Sequence, residues 1–493
     1  MNPPHEPLAF ELDAGDGAGG DGNRRRPGTG SNFVPPLDVP DLPPGELLPG
    51  DLLREGDAPI PDLSPHQVAR HFSRLARLNW SVDSGTYPLG SCTMKYSPKI
   101  AEEVARLPGF AQVHPLQEEV DGALEVLATF SELLCHLTGM DAFTFQPAAG
   151  AHGEFTGLLV IKKYFEARGE RRDVVVVPDS AHGTNPASAA MAGMRVVELA
   201  CDSGGEVPID HLKAALEGGD VAAVMLTNPN TLGLFDRRVV EVTKLVHARG
   251  GLCYYDGANL NALLGRVRPG DLGFDVVHLN LHKSFATPHG GGGPGAGPVG
   301  VREFLVPHLP EPCVFPGATG PVCREGTAES IGRVRAFWGN FGVVLRAFTY
   351  VKALGGAGLK RAATTAVLNA NYLRARLRGH YRIPHEDRHC MHEFVLSDAG
   401  LPNGVTTEDV AKRLLDFGVH APTVYFPLVV PGAMLVEPTE TESKQELDHL
   451  ANALARVRRE AEEEPDKLKN APLTTPVGRL DATLAARKPR LAG

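Results

Sequence analysis

The chain has 493 residues, 42% hydrophobic and 22% charged, a balance that supports a large core and two domains with extensions. Its 49 basic and 59 acidic side chains leave a net charge of -10, the wrong sign for a domain that grips nucleic acid. No apolar run approaches the roughly 20 residues that span a bilayer, and the opening Met1-Asn2-Pro3-Pro4 lacks the basic-then-apolar order of a secretory leader, so a soluble, cytoplasmic protein is expected. The cysteines at 92, 135, 201, 253, 313, 323 and 390 are too scattered for a metal knuckle or redox pair; they read as reduced thiols, and no metal is expected.

Residues 1–60 are rich in Gly, Pro and Asp and read as an extended arm, mobile around Gly15–Gly30; Arg24-Arg25-Arg26 lies there as a solvated loop. The run Pro35-Pro36-Leu37-Asp38-Val39-Pro40 suits an extended segment on a partner surface. From about residue 116, Leu124, Leu127, Phe130 and Leu134 recur at helical spacing, and a second helix is expected from His152 to about Arg168. Short apolar runs follow at Val174–Val177, Val196–Leu199, Val221–Leu226, Leu252–Tyr255 and Val276–Leu279. Helical patterns separate them, such as Asp236–Arg249 with Asp236 as cap and Gly250 as stop. Buried strands alternating with helices predict an α/β fold with a mostly parallel sheet sandwiched by helices. Beyond about residue 360 a helix at Thr364–Arg378, a strand near Glu393–Leu396 and helices at Thr407–Phe417 and Ser443–Glu460 predict a smaller C-terminal α+β domain, with a surface strap from Glu462. The expected division is therefore 1–115, 116–360 and 361–493.

Ligands of such sheets bind at the carboxyl ends of the strands. Four runs fall there. The first, Gln146 to Glu154, opens a helix with small residues and suits an anion, although a plain strand-to-helix turn looks the same. In Asp179 to Pro186, His182 can stack on a flat ring or serve only as a hydrogen-bonded structural residue. In Tyr254 to Asn259, Asp256 can keep a pyridinium nitrogen protonated or simply make a turn. In Leu279 to Phe285, Lys283 follows a buried strand beside His282, where burial and neighbouring charge make an amine nucleophilic; glycines 290–293, 295 and 297 follow. Anion turn, histidine, aspartate and lysine in that order match the large domain of pyridoxal-phosphate enzymes related to aspartate aminotransferase.

Longer motifs narrow the likeness. Tyr87 to Tyr96 (YPLGSCTMKY), Ser180 to Ala189 (SAHGTNPASA), Leu281-His282-Lys283 with its glycine loop, His420-Ala421-Pro422-Thr423 and Val436-Glu437-Pro438-Thr439-Glu440 all resemble the P-protein of the glycine cleavage system. Within it they resemble the second subunit of the two-chain form, over residues 35 to the C-terminus. That resemblance implies pyridoxal 5'-phosphate as cofactor, held by Lys283 as a Schiff base, with Asp256 on the ring nitrogen. It also implies His182 stacked on the ring, Ala258 on the opposite face, and Gly150 and Ala151 at the phosphate. Ser91, Thr93, Thr184, Asn185 and His282 are implied on the substrate side, His282 among the cofactor contacts as well, and Thr319 as a phosphate contact from a neighbouring chain or domain. The implied reaction decarboxylates glycine and transfers the aminomethyl group to lipoylated H-protein, together with a first subunit, two chains of each kind. The Gly-rich stretch in the arm is longer than the resemblance would give. Two rivals are a cysteine desulfurase, for which Cys92 would have to be a mobile nucleophile, and a non-catalytic scaffold subunit.

Overall fold

The computed structural model describes residues 43–53, 63–118, 120–290 and 294–489. The Gly15–Gly30 stretch with its three arginines, the Pro35–Pro40 run and residues 291–293 of the glycine loop lie outside the described residues. The chain divides into two compact units, Val82–Pro472 and a unit formed by the residues up to Ser81 and from Leu473 onward. In the smaller unit a helix at Pro65–Leu78 starts on a reciprocal cap: Ser64 accepts from the Gln67 N–H, and the Gln67 side chain returns to the Ser64 N–H. Asp481 caps a second helix, Ala482–Arg487.

In the larger unit, helix α1 (Asp121–Thr138) precedes β1 (Ala142–Thr144), and α2 (Gly150–Ala167) leads to β2 (Val174–Pro178). There follow α3 (Thr184–Met191), β3 (Arg195–Leu199), α4 (Ile209–Leu216), β4 (Val221–Thr227), α5 (Val239–Ala248), β5 (Leu252–Gly257), β6 (Val276–Leu279) and β7 (Val299–Val301). The seven strands form one sheet in the order β1-β7-β6-β5-β4-β2-β3, parallel except where β7 runs against β1 and β6. Alternate residues feed two cores. Val175, Met225, Tyr254 and Val276 pack with Leu158, Ile161 and Ala189 of α2 and α3; Val176, Val224, Tyr255 and Val277 pack with Phe130, Val242 and Val344 on the other side. Four of the five apolar runs are therefore central strands covered on both faces; the remaining one, β3, is an edge strand and is only partly buried.

β1 and β7 are three residues each, too short to stand out as apolar runs. The helix expected at Thr364 is only the end of α6 (Phe341–Leu377), which bends at Gly355, where φ is +60°. Gly355, Gly356 and Gly358 interrupt the helical pattern in the sequence and hide its first half. Asp236 is not the cap of α5. Its carboxylate instead accepts the N–H groups of Arg238 (2.8 Å) and Val207 (2.9 Å), fixing the loop before the helix.

After the hairpin β8 (Cys313–Phe315) and β9 (Val322–Arg324) and the long α6, strands β10 (Phe394–Ser397), β11 (Thr423–Val424) and β12 (Ala433–Val436) make an antiparallel sheet, β10-β12-β11. α7 (Thr407–Leu415) and α8 (Lys444–Glu463) complete this part, with Thr406 and Ser443 as N-caps. The chain after Glu462 is not yet a strap, because Leu468 and Ala471 are fully buried there. No helix among the described residues is long and apolar enough to cross a membrane.

One core contact bears directly on the site. Phe130 of α1 is fully buried and stacks on Phe145 (centroids 5.5 Å apart), with Phe285 (6.2 Å) and Phe348 (6.1 Å) edge-on. Phe285 lies two residues beyond Lys283. Phe130→Ala is expected to lower unfolding stability by about 4 kcal/mol, read as a lower denaturant midpoint, because an aromatic-sized cavity opens beneath the Lys283 turn.

Candidate active site

Parallel pairing of β4, β5 and β6 sets Thr227 beside Asp256 and Asp256 beside His278. Their side chains therefore share one face at the carboxyl end of the sheet. Oδ2 of Asp256 accepts from Asn185 Nδ2 at 3.0 Å and Thr227 Oγ1 at 3.2 Å; Oδ1 accepts from the Ala258 N–H at 2.9 Å and lies 3.2 Å from His278 Nε2. Burial alone would raise this carboxyl's pKa, but His278 and the N–H donors hold it well below the usual carboxylate range.

β6 ends in a helical turn, Leu281–Ser284, that fixes Lys283 between the buried Leu281 and Phe285. Lys283 lines a cavity of about 340 Å³ with Asp256, His182, Ala258, His282 and Thr184. Burial lowers the pKa of His182 against the pull of Asp256, so its imidazole is neutral. Its Nδ1 accepts the Thr184 N–H at 3.2 Å, and Thr184 Oγ1 donates to Glu154 at 2.7 Å. Burial first, then the Lys283 charge, pushes His282 down to about 3. The Ala149 end of α2 opens on the same cavity through Ala149, Gly150 and Ala151, with no side chain capping its N–H groups. Those free N–H groups and the positive end of the helix dipole suit a phosphate. Glycine is required nearby: a Cβ on Gly297 would strike the Ala149 carbonyl, and one on Gly150 the Asn280 amide. His282 Nδ1 and Asn280 Oδ1, from residues lining the cavity, are buried and lack a protein partner, polar atoms left over for a ligand. An amine, a carboxylate, a neutral imidazole and an anion cradle thus fit pyridoxal 5'-phosphate.

The remaining predicted residues fall into three groups. Ser91 lines the cavity in the left-handed region (φ +59°), held by its N–H on Glu393 Oε2 at 2.7 Å. Thr93 and Asn185 stand behind the wall, Thr93 donating to Glu437 at 2.6 Å and Asn185 bracing Asp256. Thr319 is on the exposed β8–β9 turn and does not line the cavity. Cys92 does line it, with Sγ 3.0 Å from His289 Nε2, and burial raises the pKa of its thiol.

Sequence reading assigned no role to Glu154, His278, Glu393 or Glu437. His278 left a signal, a polar residue inside an otherwise apolar strand, and Glu437 lies in a motif quoted without a role. The segment 87–90 binds the edge of β12 (Gly90 N–H to Leu435 O, 3.2 Å), Tyr87 stacks on His420 (4.0 Å), and Thr423 donates to Gly90 O at 2.7 Å. Motifs more than 300 residues apart thereby share one wall. Glu393, fully buried, accepts from Ser91 N–H and Asn259 Nδ2, yet burial moves its pKa up to about 7. A carboxyl raised on folding binds its proton more tightly in the native state, so stability is full below its ordinary value of 4.5 and falls as pH rises to about 7. Thermal melts should therefore show the parent losing stability from about pH 5 to 8, and Glu393→Gln losing less over that range.

Solved structures share this architecture. The aspartate aminotransferase of subgroup IV from Thermus thermophilus aligns over 76% of this chain and 99% of its own, with a TM-score of 0.56 and 16% identity. A glycine decarboxylase (P-protein) of the glycine cleavage system, in inhibitor-bound form, covers 83% of this chain and 93% of its own, with a TM-score of 0.70 and 23% identity. The molecule therefore has the aspartate-aminotransferase-like fold. Residues 362–474 match the family model described as glycine dehydrogenase, C-terminal domain. The probable glycine dehydrogenase (decarboxylating) subunit 2 of Desulforamulus reducens is 57% identical over 94% of this chain and 96% of its own length. That of Chlorobium chlorochromatii is 50% identical over 98% of each. The chain belongs to the family of glycine dehydrogenase (decarboxylating) subunit 2.

Proposed function

We propose that this chain is the cofactor-bearing subunit of a cytoplasmic glycine decarboxylase that uses pyridoxal 5'-phosphate, works with a first subunit as two chains of each kind, and delivers the aminomethyl group to the lipoyl arm of H-protein. The observation that carries this reading is the convergence of Lys283, Asp256, His182 and the open end of α2 on one cavity. Family membership narrows the amino acid to glycine. The cofactor, when bound, supplies an electron-accepting ring for the charge left on Cα as carbon dioxide departs.

The chain's own groups would divide the work as follows. Lys283 holds the cofactor through its amine. Asp256, anionic and fixed by its donors, keeps a proton at the ring nitrogen. His182 and Ala258 would pack against the ring, and the N–H groups of Gly150 and Ala151 would hold the phosphate. Ser91, Thr184 and His282, which line the cavity, would bind and orient glycine, with Thr93 and Asn185 supporting them from behind. Thr319 would reach a phosphate only in a neighbouring chain. In the net reaction, the electron pair of the broken C–C bond forms a C–S bond to one lipoyl sulfur. The other sulfur leaves with the S–S pair and takes up one proton. The test is release of labelled carbon dioxide from carboxyl-labelled glycine by the chain plus its first subunit and lipoylated H-protein. Release is expected only with all three proteins present. Borohydride-sensitive absorbance without any release would sink the assignment to glycine.

A further inference from the structure

We propose that His278 is a standing imidazolium that fixes Asp256 as an anion, a positioning residue for the ring nitrogen that Asp256 faces. His278 sits in the middle of one buried chain of hydrogen bonds. Tyr254 Oη lies 3.1 Å from the Gly153 carbonyl oxygen and 3.1 Å from His278 Nδ1. A carbonyl can only accept; with the phenolic proton on Gly153, the phenolic oxygen is an acceptor and His278 Nδ1 is placed to donate to it. At the other side of the ring, Nε2 lies 3.2 Å from Oδ1 of Asp256, a carboxylate that accepts. Nε2 is placed to donate as well. Both nitrogens protonated means a cation.

The surroundings agree. His278, Asp256 and Tyr254 are all at most 1% exposed, so neither ion can be relieved by solvent. The groups facing His278 are Asp256 and Tyr254 from β5, Glu154 from α2, His282 and Lys283 from the turn after β6, and His182 before α3. Burial favours the neutral ring and Lys283 adds to it, but Asp256 and Glu154 prevail and raise its pKa. The Glu154 carboxylate is taken up by the hydroxyls of Thr184 (2.7 Å) and Ser188 (2.9 Å), so it contributes field without competing for a His278 proton. The consequence reaches the chemistry. An imidazolium at Oδ1 lowers the proton affinity of Asp256 further below that of a pyridine nitrogen, so the shared proton stays on the ring.

This inference rests on the reading that Asp256 meets the cofactor's ring nitrogen, but its first test needs no cofactor. In the full-length chain carrying ¹⁵N-labelled histidine, long-range ¹H–¹⁵N correlation distinguishes imidazolium from either neutral tautomer. One histidine, absent from the His278→Gln spectrum, is expected to show two protonated nitrogens at neutral pH. An unprotonated nitrogen on His278 at neutral pH overturns the proposal. Tyr254→Phe removes the acceptor at Nδ1 and leaves the ring volume nearly unchanged. It is expected to make that same histidine deprotonate at lower pH than in the parent, which also assigns the signal should His278→Gln fail to fold. A spectrum unmoved by Tyr254→Phe counts against the relay. With pyridoxal phosphate added, the visible absorbance of His278→Gln should vary with pH where that of the parent is flat. Equal flatness in both would show that the imidazolium does not govern the ring proton. Loss of decarboxylation with an intact imidazolium signal would instead count against the glycine assignment.

Discussion

Replacing Lys283 by alanine is expected to reduce glycine decarboxylation by at least about 1,000-fold and to leave no cofactor that borohydride can fix to the chain. Lys283 supplies the only lysine amine among the described residues lining the cavity. The buried Lys95 cannot stand in, because its Nζ is committed to Glu440 and Asn261 at 2.8 Å and to Tyr350 at 3.1 Å. The fold should survive, since the turn is anchored by Leu281 and Phe285, which the substitution leaves in place. The parent and the variant should therefore melt at similar temperatures while differing in absorbance and turnover. A fixed adduct in the variant, located by peptide mass, would mean that another amine carries the cofactor.

Much of this arrangement was legible in the sequence because strand ends impose order. Val276–Leu279 announces a buried strand by apolar content alone, and whatever follows it on a parallel sheet faces the ligand edge, so Lys283 could be placed before any coordinates. Asp256 and His182 follow from the same rule. What stayed hidden depends on contacts across the chain. Glu393 immediately precedes β10 and Glu437 immediately follows β12, and only the antiparallel β10–β12 register brings them together behind Ser91 and Thr93. Thr93 was expected beside the substrate but turns into that buried pair, since a short motif does not say which face of an edge segment points outward. The same limit applied to α6, where local glycines outweighed a helix that tertiary packing sustains.

Asp256→Asn separates binding from chemistry. Asparagine matches aspartate in shape but offers one accepting oxygen where the carboxylate has two, so some of the donors from Asn185, Thr227, Ala258 and His278 lose their partner. The cofactor should still bind through Lys283 and the end of α2. Decarboxylation should fall about 100- to 1,000-fold, because the ring nitrogen loses the anion that keeps it protonated as charge develops. Stability adds an independent signature whose sign is fixed by the pair. Asp256 is depressed on folding, so its contribution is present above the ordinary value of 3.8 and is lost as pH falls through the folded value. His278 is raised, so its contribution is present below 6.5 and is lost as pH rises through its folded value. The parent's margin over Asp256→Asn in thermal melts should therefore be widest between those limits and narrow toward both acid and alkali. A variant that turns over near the parental rate would remove Asp256 from the electron-accepting role. A margin that does not vary with pH would mean that the Asp256–His278 pair carries no charge.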